Sequence, residues 1–251
     1  SVTETSIRVR KSECLDLPPV VKQRIEVKML PQQQKAYEEM KNDFITFYQS
    51  NACVAQLALT KLLRLQQIVS GYISFEDGGV THFKDSERES ALKELLEELT
   101  PNHKVIVWAV FQENYKVIER VCKDLGVKYV GVYGGISETQ RQEAIKDFNQ
   151  DQATRVYIGN PLSGGIGVNL TVSDISIYYS RDFSLESALQ SAARNHRGGS
   201  EIHQKITHID LITPETIDEI IVEKLHEKES NGELLISQDF ASDIIKNVLG
   251  N

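Results

Sequence analysis

Residues of several kinds are scarce in this chain, and each scarcity excludes a class of protein. The 251 residues include three cysteines, Cys14, Cys53 and Cys122, which form no Cys-x-x-Cys pair, so neither a disulfide framework nor a zinc ribbon is predicted. His203 and His208 have no cysteine or carboxylate at ligand spacing, so we predict no metal site. No apolar run approaches the ~20 residues that a membrane span requires. We therefore expect a cytoplasmic protein that makes no contact with a membrane.

Positive charge is also in short supply. The sequence has 28 Lys and Arg against 36 Asp and Glu, which gives a formal net charge of −8. Residues 201–251 hold four basic and eleven acidic side chains, whereas residues 1–67 hold ten basic and seven acidic ones. A negative net charge opposes binding to polymers rich in phosphate. It still leaves room for a local cationic track supplemented by main-chain N–H groups.

Strand and helix patterns alternate along most of the chain. Short apolar runs predict strands at 104–110, 128–133, 154–159, 175–180 and 205–212, and amphipathic spacing predicts helices at 86–99, 112–125, 137–148, 185–196 and 213–228. Such alternation predicts an α/β fold in which a parallel sheet carries helices on both faces.

The same patterns divide the chain into four parts. Residues 1–31 predict an extended connector with a strand at 25–29. Residues 32–84 predict an α-helical hairpin subdomain followed by a polar connector. The α/β part covers residues 85–228, including its final helix, and residues 229–251 form a C-terminal tail. The chain opens without a methionine and within the connector, so we expect that another lobe precedes it.

Two arginines near residue 195 are candidates for binding a phosphate. On a helix from Leu185 to His196, Gln190, Arg194 and Arg197 recur at the i, i+4, i+7 spacing of one face. Planar guanidinium groups match phosphate oxygens two at a time and stay charged at physiological pH. The alternative is a solvated pair of surface arginines.

A glycine-rich segment, Pro161–Leu170, lies between two apolar runs. Gly164, Gly165 and Gly167 allow left-handed backbone angles, so main-chain N–H groups could form a nest for an anion. A tight turn that needs glycine for steric reasons is the alternative. Dinucleotide binding fits poorly, because the third glycine of that motif is missing.

Two further segments complete a recognisable series. Lys104–Val110 precedes an amphipathic helix, and Tyr129–Gly135 precedes the helix that ends at Phe148. Together with the glycine-rich segment and the arginine pair, they resemble motifs IV, V and VI of superfamily 2 helicases, most closely the SWI/SNF-type DNA translocases. The resemblance covers about residues 85–228. Leu162, Phe183 and Ser200 depart from the residues usual in that family and suggest a divergent bacterial or phage branch.

The resemblance implies the C-terminal RecA-like lobe of an ATP-dependent DNA helicase or translocase. It implies that Arg194 and Arg197 act as arginine fingers on ATP while Gln190 orients their helix. The residues implied at the nucleotide are Gly165, Gly167 and Asn169, and those implied to contact DNA, most simply a duplex, are Phe111, Gly134, Gly135, Ser163 and Gly164.

Two parts of a complete ATPase of this type are missing. The chain has no G-x-x-x-x-G-K-[ST] phosphate loop and no acidic pair at the end of an apolar strand. Asp218 and Glu219 fall within a helical pattern, so we predict that they are solvated surface. The resemblance therefore implies that ATP and Mg²⁺ are bound mainly by an N-terminal RecA-like lobe of the same protein, and that the isolated chain is inactive.

Two alternatives from other classes stay open. A non-catalytic adaptor could keep the helicase-like fold and bind only protein, and an α/β enzyme could bind a small ligand instead. A phosphate loop encoded upstream of Ser1 would favour the ATPase over both. The sequence does not distinguish DNA from RNA, or strand separation from movement along a duplex.

Overall fold

The computed structural model describes residues 16–50, 55–75, 77–162, 168–231 and 248. Its strands are β1 (Val20–Glu26), β2 (Tyr72–Ser74), β3 (Val80–His82), β4 (Val105–Trp108), β5 (Lys128–Val132), β6 (Thr154–Gly159), β7 (Ile175–Tyr178) and β8 (Ile206–Ile212). Its helices are α1 (Pro31–Ser50), α2 (Ala55–Val69), α3 (Glu87–Leu99), α4 (Gln112–Asp124), α5 (Glu138–Gln150), α6 (Leu185–Ala192) and α7 (Ile217–Asn231), with a 3-10 turn at Ser200–Ile202. No helix in these ranges combines the length and apolar character needed to cross a membrane.

A parallel sheet of six strands organises the structure. Its strand order is β1-β8-β7-β4-β6-β5, and every neighbouring pair is parallel. The short strands β2 and β3 form a separate antiparallel pair. The predicted α/β class, with helices on the sheet and a helical hairpin before it, is confirmed. Parallel strands need crossover connections, and α4, α5 and α6 provide them here.

The first strand lies earlier in the chain than the predicted 25–29. β1 pairs with β8 along its length, from Val20 opposite Ile206 to Glu26 opposite Ile212. It is an edge strand with a partly exposed surface, so its central residues are polar and its apolar pattern is weak. Apolar periodicity therefore placed the strand wrongly, whereas pairing with β8 fixes its true position.

Both faces of the sheet are covered, as β4 shows most clearly. Val105 and Val107 pack on the side of α3 and α4, while Ile106 and Trp108 pack on the side of α5 with Phe148. Successive side chains of a strand point to opposite faces, so a strand buried on both sides is apolar at every position. The continuous run in β4 follows from this double burial.

A second cluster joins the helical hairpin to α7. Tyr37 of α1 and Leu65 of α2 pack with Ile217 and Ile221 of α7. The Tyr37 hydroxyl also accepts a hydrogen bond of 2.8 Å from the backbone N–H of Ile217. Helix α7 therefore begins in contact with the hairpin and connects it to the sheet.

A buried ion pair ties α3 to α7. Arg88 is 2% exposed, and its Nη1 donates to the carbonyl oxygens of Tyr179 at 2.7 Å and Leu211 at 2.8 Å. Its Nη2 donates to Thr213 Oγ1 at 3.1 Å and to the Asp218 carboxylate. The prediction that Asp218 is solvated surface is wrong, because this residue is 7% exposed and faces a buried cation. The Arg88 side chain therefore joins α3 and α7 to the ends of β7 and β8.

Other acidic residues of α7 pair with the edge strand. Glu219 Oε1 lies 2.7 Å from Arg24 Nη2, and Glu229 Oε2 lies 2.5 Å from Lys22 Nζ. Glu219 was predicted to be solvated, and its side chain is instead 27% exposed and paired. Exposed pairs of this kind contribute little stability, about 0–1 kcal/mol each.

The buried pair generates a prediction about stability. Asp218→Asn keeps the side-chain shape but leaves the Arg88 charge buried without a counterion, so the free energy of unfolding should fall by about 3 kcal/mol or more. Glu219→Gln is the matched control, and it should lower the free energy by less than ~1 kcal/mol. Urea denaturation of the purified chain measures both, and equal losses would contradict the role given to Arg88.

Candidate functional site

Helix α6 carries the first of the predicted site residues. The Ser184 hydroxyl caps its first turn by accepting a hydrogen bond of 3.2 Å from the N–H of Ser187. The Asp182 carboxylate accepts from the Ser187 hydroxyl at 2.7 Å and from the Ser184 N–H at 3.1 Å. The polar turn before α6 therefore provides hydrogen-bond acceptors for N–H groups at the start of the helix, and this fixes the residue at which the helix begins.

The end of α6 differs from the prediction of a helix from 185 to 196. The helix ends at Ala192, and the chain continues as a turn. The carbonyl oxygen of Arg194 accepts a hydrogen bond of 3.0 Å from Leu170 N–H, and Asn195 Oδ1 lies 3.2 Å from His208 Nε2. These tertiary contacts hold the turn against β8 and the preceding loop. Gln190, Arg194 and Arg197 therefore do not form one helical stripe.

Arg194 is the buried member of the arginine pair. It is 9% exposed, and its Nε has no hydrogen-bond partner among the described residues. Burial, followed by the charge of Arg197, lowers the pKa of its guanidinium below the ordinary value, and no carboxylate of the described residues pairs with it. A cation that is withdrawn from water without a counterion binds an anion strongly.

Arg197 and Gln190 occupy different surroundings. Arg197 is exposed, and its carbonyl oxygen accepts from the N–H of Ser200 at 2.9 Å. Gln190 lies on α6, where its Nε2 donates to Glu186 Oε1 at 2.8 Å. The structure thus brings the two arginines into electrostatic contact, while the side chain of Gln190 bonds to its own helix.

The glycine-rich segment is described only at its two ends. Ser163, Gly164, Gly165 and Gly167 lie outside the described residues. Asn169 is exposed, its Oδ1 accepts from the Thr171 N–H at 3.1 Å, and its carbonyl oxygen accepts from Asn149 Nδ2 at 3.0 Å. The second of these bonds ties the loop to the end of α5.

The predicted DNA-contacting residues of the described part lie at the carboxyl ends of neighbouring strands. Phe111 follows β4 and is half-buried, and its ring centroid lies 6.0 Å from that of Tyr72 in a T-shaped arrangement. Gly134 and Gly135 follow β5 and are exposed, and Gly135 has a φ of 98°, a conformation that favours glycine. β6 lies between these strands. Ligands of open parallel sheets commonly bind along this edge.

A second buried ion pair, which sequence reasoning missed, joins Arg181, which follows β7, to Asp210 of β8. Arg181 Nε donates to Asp210 Oδ1 at 2.5 Å, and its guanidinium lies 3.5 Å from the ring centroid of Tyr178. Burial lowers the pKa of His208 to about 3, so this residue is neutral beside Asn195. The partners are far apart in sequence, and no spacing rule connects them. Of these residues, His208 contacts the turn that carries Arg194, through Asn195.

The described residues contain no group of three or more His, Cys, Asp or Glu side chains that could hold a metal ion. The described residues offer guanidinium groups and backbone N–H donors at the site. Such donors bind anions and stabilise negative charge.

The environment of Arg194 generates a prediction about the isolated chain. Arg194→Met removes a buried and unpaired charge while keeping much of the side-chain volume, so the free energy of unfolding should stay unchanged or rise by about 1 kcal/mol or more. Arg197→Met, at an exposed position, should change it by less than ~0.5 kcal/mol. Chemical denaturation compares the two variants, and a marked loss of stability in Arg194→Met would indicate that Arg194 serves the fold instead.

Comparisons with known proteins agree with this geometry. Residues 87–199 match the family model of the helicase conserved C-terminal domain. The chain is 30% identical over 138 residues to ATP-dependent helicase fft1 of Schizosaccharomyces pombe, a match that covers 55% of this chain and 14% of that protein. It is 27% identical over 155 residues to the ISWI chromatin-remodeling complex ATPase ISW1 of Saccharomyces cerevisiae, covering 61% of this chain and 13% of that protein. The matches thus span a small part of each relative.

Solved structures share the whole architecture. The C-terminal part of the Fun30 ATPase domain has a TM-score of 0.71 at 17% identity and covers 93% of this chain and 99% of that one. The SWI2/SNF2 ATPase C-terminal domain of Sulfolobus solfataricus has a TM-score of 0.70 at 21% identity and covers 91% and 97%. Residues 87–199 are therefore similar to the helicase conserved C-terminal domain, and the chain has the fold of the RecA-like C-terminal lobe of SWI2/SNF2 ATPases.

Proposed function

We propose that this chain is the C-terminal half of an ATP-dependent DNA helicase or translocase, and that ATP binds between it and an N-terminal RecA-like lobe of the same protein. One observation supports this most strongly. Arg194 is buried beside the charge of Arg197, and no carboxylate in the described residues neutralises it. An anion bound by the partner lobe would neutralise this cation, so binding of that anion would be favourable.

The two arginines would act on the terminal phosphate of ATP. Phosphoryl transfer spreads negative charge over the phosphate oxygens, and guanidinium groups in fixed positions stabilise that charge. Arg194 is held in place through its carbonyl bond to Leu170 and through the adjacent Asn195 contact with His208. Exposed Arg197 is free to reach the nucleotide from the surface of the lobe.

Other parts of the nucleotide site would come from both lobes. Gln190 would orient the arginine turn or contact the nucleotide, and Gly165, Gly167 and Asn169 would shape the loop beside it. This chain has no phosphate loop, so the N-terminal lobe would bind most of the triphosphate and its Mg²⁺. Closure of the two lobes on ATP would then assemble the complete site.

Duplex DNA would lie across the carboxyl ends of β4, β6 and β5. Phe111, Gly134 and Gly135 stand at this edge, and we place Ser163 and Gly164 there by the resemblance. Glycines expose main-chain N–H groups, which hold backbone phosphates without adding formal charge. This is consistent with an acidic chain. The structure of the Sulfolobus solfataricus core, similar at a TM-score of 0.73 and 22% identity, contains dsDNA.

Leu162 on this surface differs from the residue that is usual in the helicase family. Its side chain is 55% exposed at a position where the helicase resemblance has a basic residue. An apolar contact there weakens the electrostatic component of DNA binding. We assign the protein to a divergent bacterial or phage branch on this departure and those at Phe183 and Ser200.

Arg197 provides the most direct test of the nucleotide site. In the protein that contains both lobes, Arg197→Ala should reduce ATP turnover by at least ~100-fold, because a positioned arginine finger contributes on the order of 10³ or more in rate. Arg197→Lys should recover little of the activity, because an ammonium group lacks the planar fork. Steady-state turnover with saturating DNA measures the effect.

Arg155→Ala is the matched control, because this arginine lies at the opposite end of β6, where its Nη2 is 3.4 Å from the carbonyl oxygen of Pro101. Its turnover should stay near that of the unmodified protein. DNA affinity and unfolding midpoint should be unchanged in Arg197→Ala. Wild-type turnover in Arg197→Ala would contradict the proposed function.

A further inference from the structure

The two residues between Arg194 and Arg197 anchor the turn that carries both arginines. Asn195 is fully buried, and its Oδ1 lies 3.2 Å from Nε2 of a histidine on β8. His196 is half-buried, and its Nε2 lies 3.1 Å from the carbonyl oxygen of Pro18, which precedes β1. A carbonyl oxygen accepts but does not donate, so the imidazole Nε2 donates this hydrogen bond. The turn is therefore tied both to the sheet and to the residues that lead into the sheet.

The residues before β1 offer an acceptor in a fixed position. Pro18 is buried, and its backbone is restricted both by its own ring and by the proline that follows it. The carbonyl oxygen of Pro19 accepts a hydrogen bond of 2.9 Å from the N–H of Ile206, the first residue of the inner strand β8. Two consecutive prolines joined to an inner strand hold the Pro18 carbonyl group in one place. A hydrogen bond to that group can therefore orient the side chain that donates it.

Side-chain packing does less to orient the His196 imidazole. A cavity of about 190 Å³ adjoins this residue between β1, α6 and α7, and these elements line it with Val20, Ala192 and Leu225 among others. An imidazole beside a cavity has few packed atoms on that side, so dispersion contacts there hold it weakly. The hydrogen bond to Pro18 therefore contributes much of its orientation.

Arg197 depends on this anchor more than Arg194 does. The carbonyl oxygen of Arg194 accepts from the N–H of Leu170 at 3.0 Å, which ties that residue to another loop. The carbonyl oxygen of Arg197 accepts from Ser200, three residues later, so this bond stays within the turn. Two exposed glycines follow Arg197, and glycine restricts the backbone least of all residues. His196 is thus the adjacent side chain that ties Arg197 to a distant part of the fold.

We infer that His196 is a positioning residue for Arg197, and that it acts through its hydrogen bond to Pro18. The inference rests on the proposed function, in which the residues before β1 join this lobe to the N-terminal lobe. The bond then connects the arginine turn directly to the segment between the lobes. A shift of that segment when the lobes close on ATP therefore moves the turn, and Arg197 with it.

The test compares two amides that place their N–H donor at different points. The amide nitrogen of glutamine can occupy the place of the imidazole Nε2, whereas the shorter asparagine reaches only as far as Nδ1. In the protein that contains both lobes, His196→Gln should keep kcat for ATP within about threefold of the unmodified value, and His196→Asn should lower kcat about tenfold. KM for ATP should change less than about twofold in both, because the N-terminal lobe binds most of the triphosphate. Equal unfolding midpoints are expected, so the difference in kcat reports the position of the donor.

A change at Pro18 tests the acceptor. Pro18→Gly keeps the carbonyl oxygen but releases the backbone that holds it, so kcat should fall as it does in His196→Asn. Both changes act through one hydrogen bond, so the double variant should be no slower than the slower single variant. His103→Asn is the control, because this histidine lies between α3 and β4 and pairs with Asp174 at 3.0 Å. It should leave kcat and KM unchanged.

The outcomes separate this inference from the function on which it rests. Arg197→Ala is measured in the same assay, and unmodified turnover in that variant would overturn the proposed function and this inference together. If Arg197→Ala loses turnover while the glutamine and asparagine variants of His196 have equal kcat, the role of His196 is overturned and the proposed function stands. Losses that add up in the double variant would overturn the assignment of Pro18 as the partner. His196→Met, which removes the donor, supplies the same readouts if His196→Asn does not fold.

Discussion

The fold depends on the buried side chain of Arg88 more than on any other polar group. Its guanidinium bonds to the carbonyl oxygens that follow β7 and end β8, and it pairs with Asp218 at the start of α7. The carbonyl groups at the ends of inner strands would otherwise be buried without donors, which proteins rarely tolerate. Helix α7, fixed in this way, carries the apolar side chains that hold the helical hairpin against the sheet. One arginine thus determines how the parts before and after the sheet meet.

Arg88 and Arg194 are both arginines, but their surroundings differ. Both are buried, but Arg88 has a carboxylate and three further acceptors, whereas Arg194 lies within electrostatic range of Arg197 and pairs with no carboxylate of the described residues. The neutralised cation is part of the fold, and the proposed function gives the other a ligand. The buried charge of Arg194 destabilises the turn. The hydrogen bonds from Leu170 to the Arg194 carbonyl oxygen and between Asn195 and His208 stabilise it. The proposed nucleotide site rests on this contrast.

Much of this architecture could be predicted from the sequence, because strands buried on both faces and amphipathic helices leave clear hydrophobic periods. The α/β class and the order of strands and helices followed from those periods. Three details did not, and each depends on a tertiary partner: the position of β1 on its pairing with β8, the end of α6 on Leu170 and His208, and the burial of Asp218 on Arg88. For the site, the spacing of Arg194 and Arg197 drew attention to the pair but gave no sign that one is buried.

The central claim is that this chain is half of an ATPase whose nucleotide site is completed by another lobe. The direct measurement is ATP hydrolysis, in the presence of duplex DNA, by the purified 251-residue chain alone and by the same chain joined to a RecA-like lobe that carries a phosphate loop. We expect no turnover from the chain alone, because the groups that hold the triphosphate and Mg²⁺ are absent from its sequence. We expect DNA-stimulated turnover from the joined protein. Turnover by the chain alone would contradict the claim.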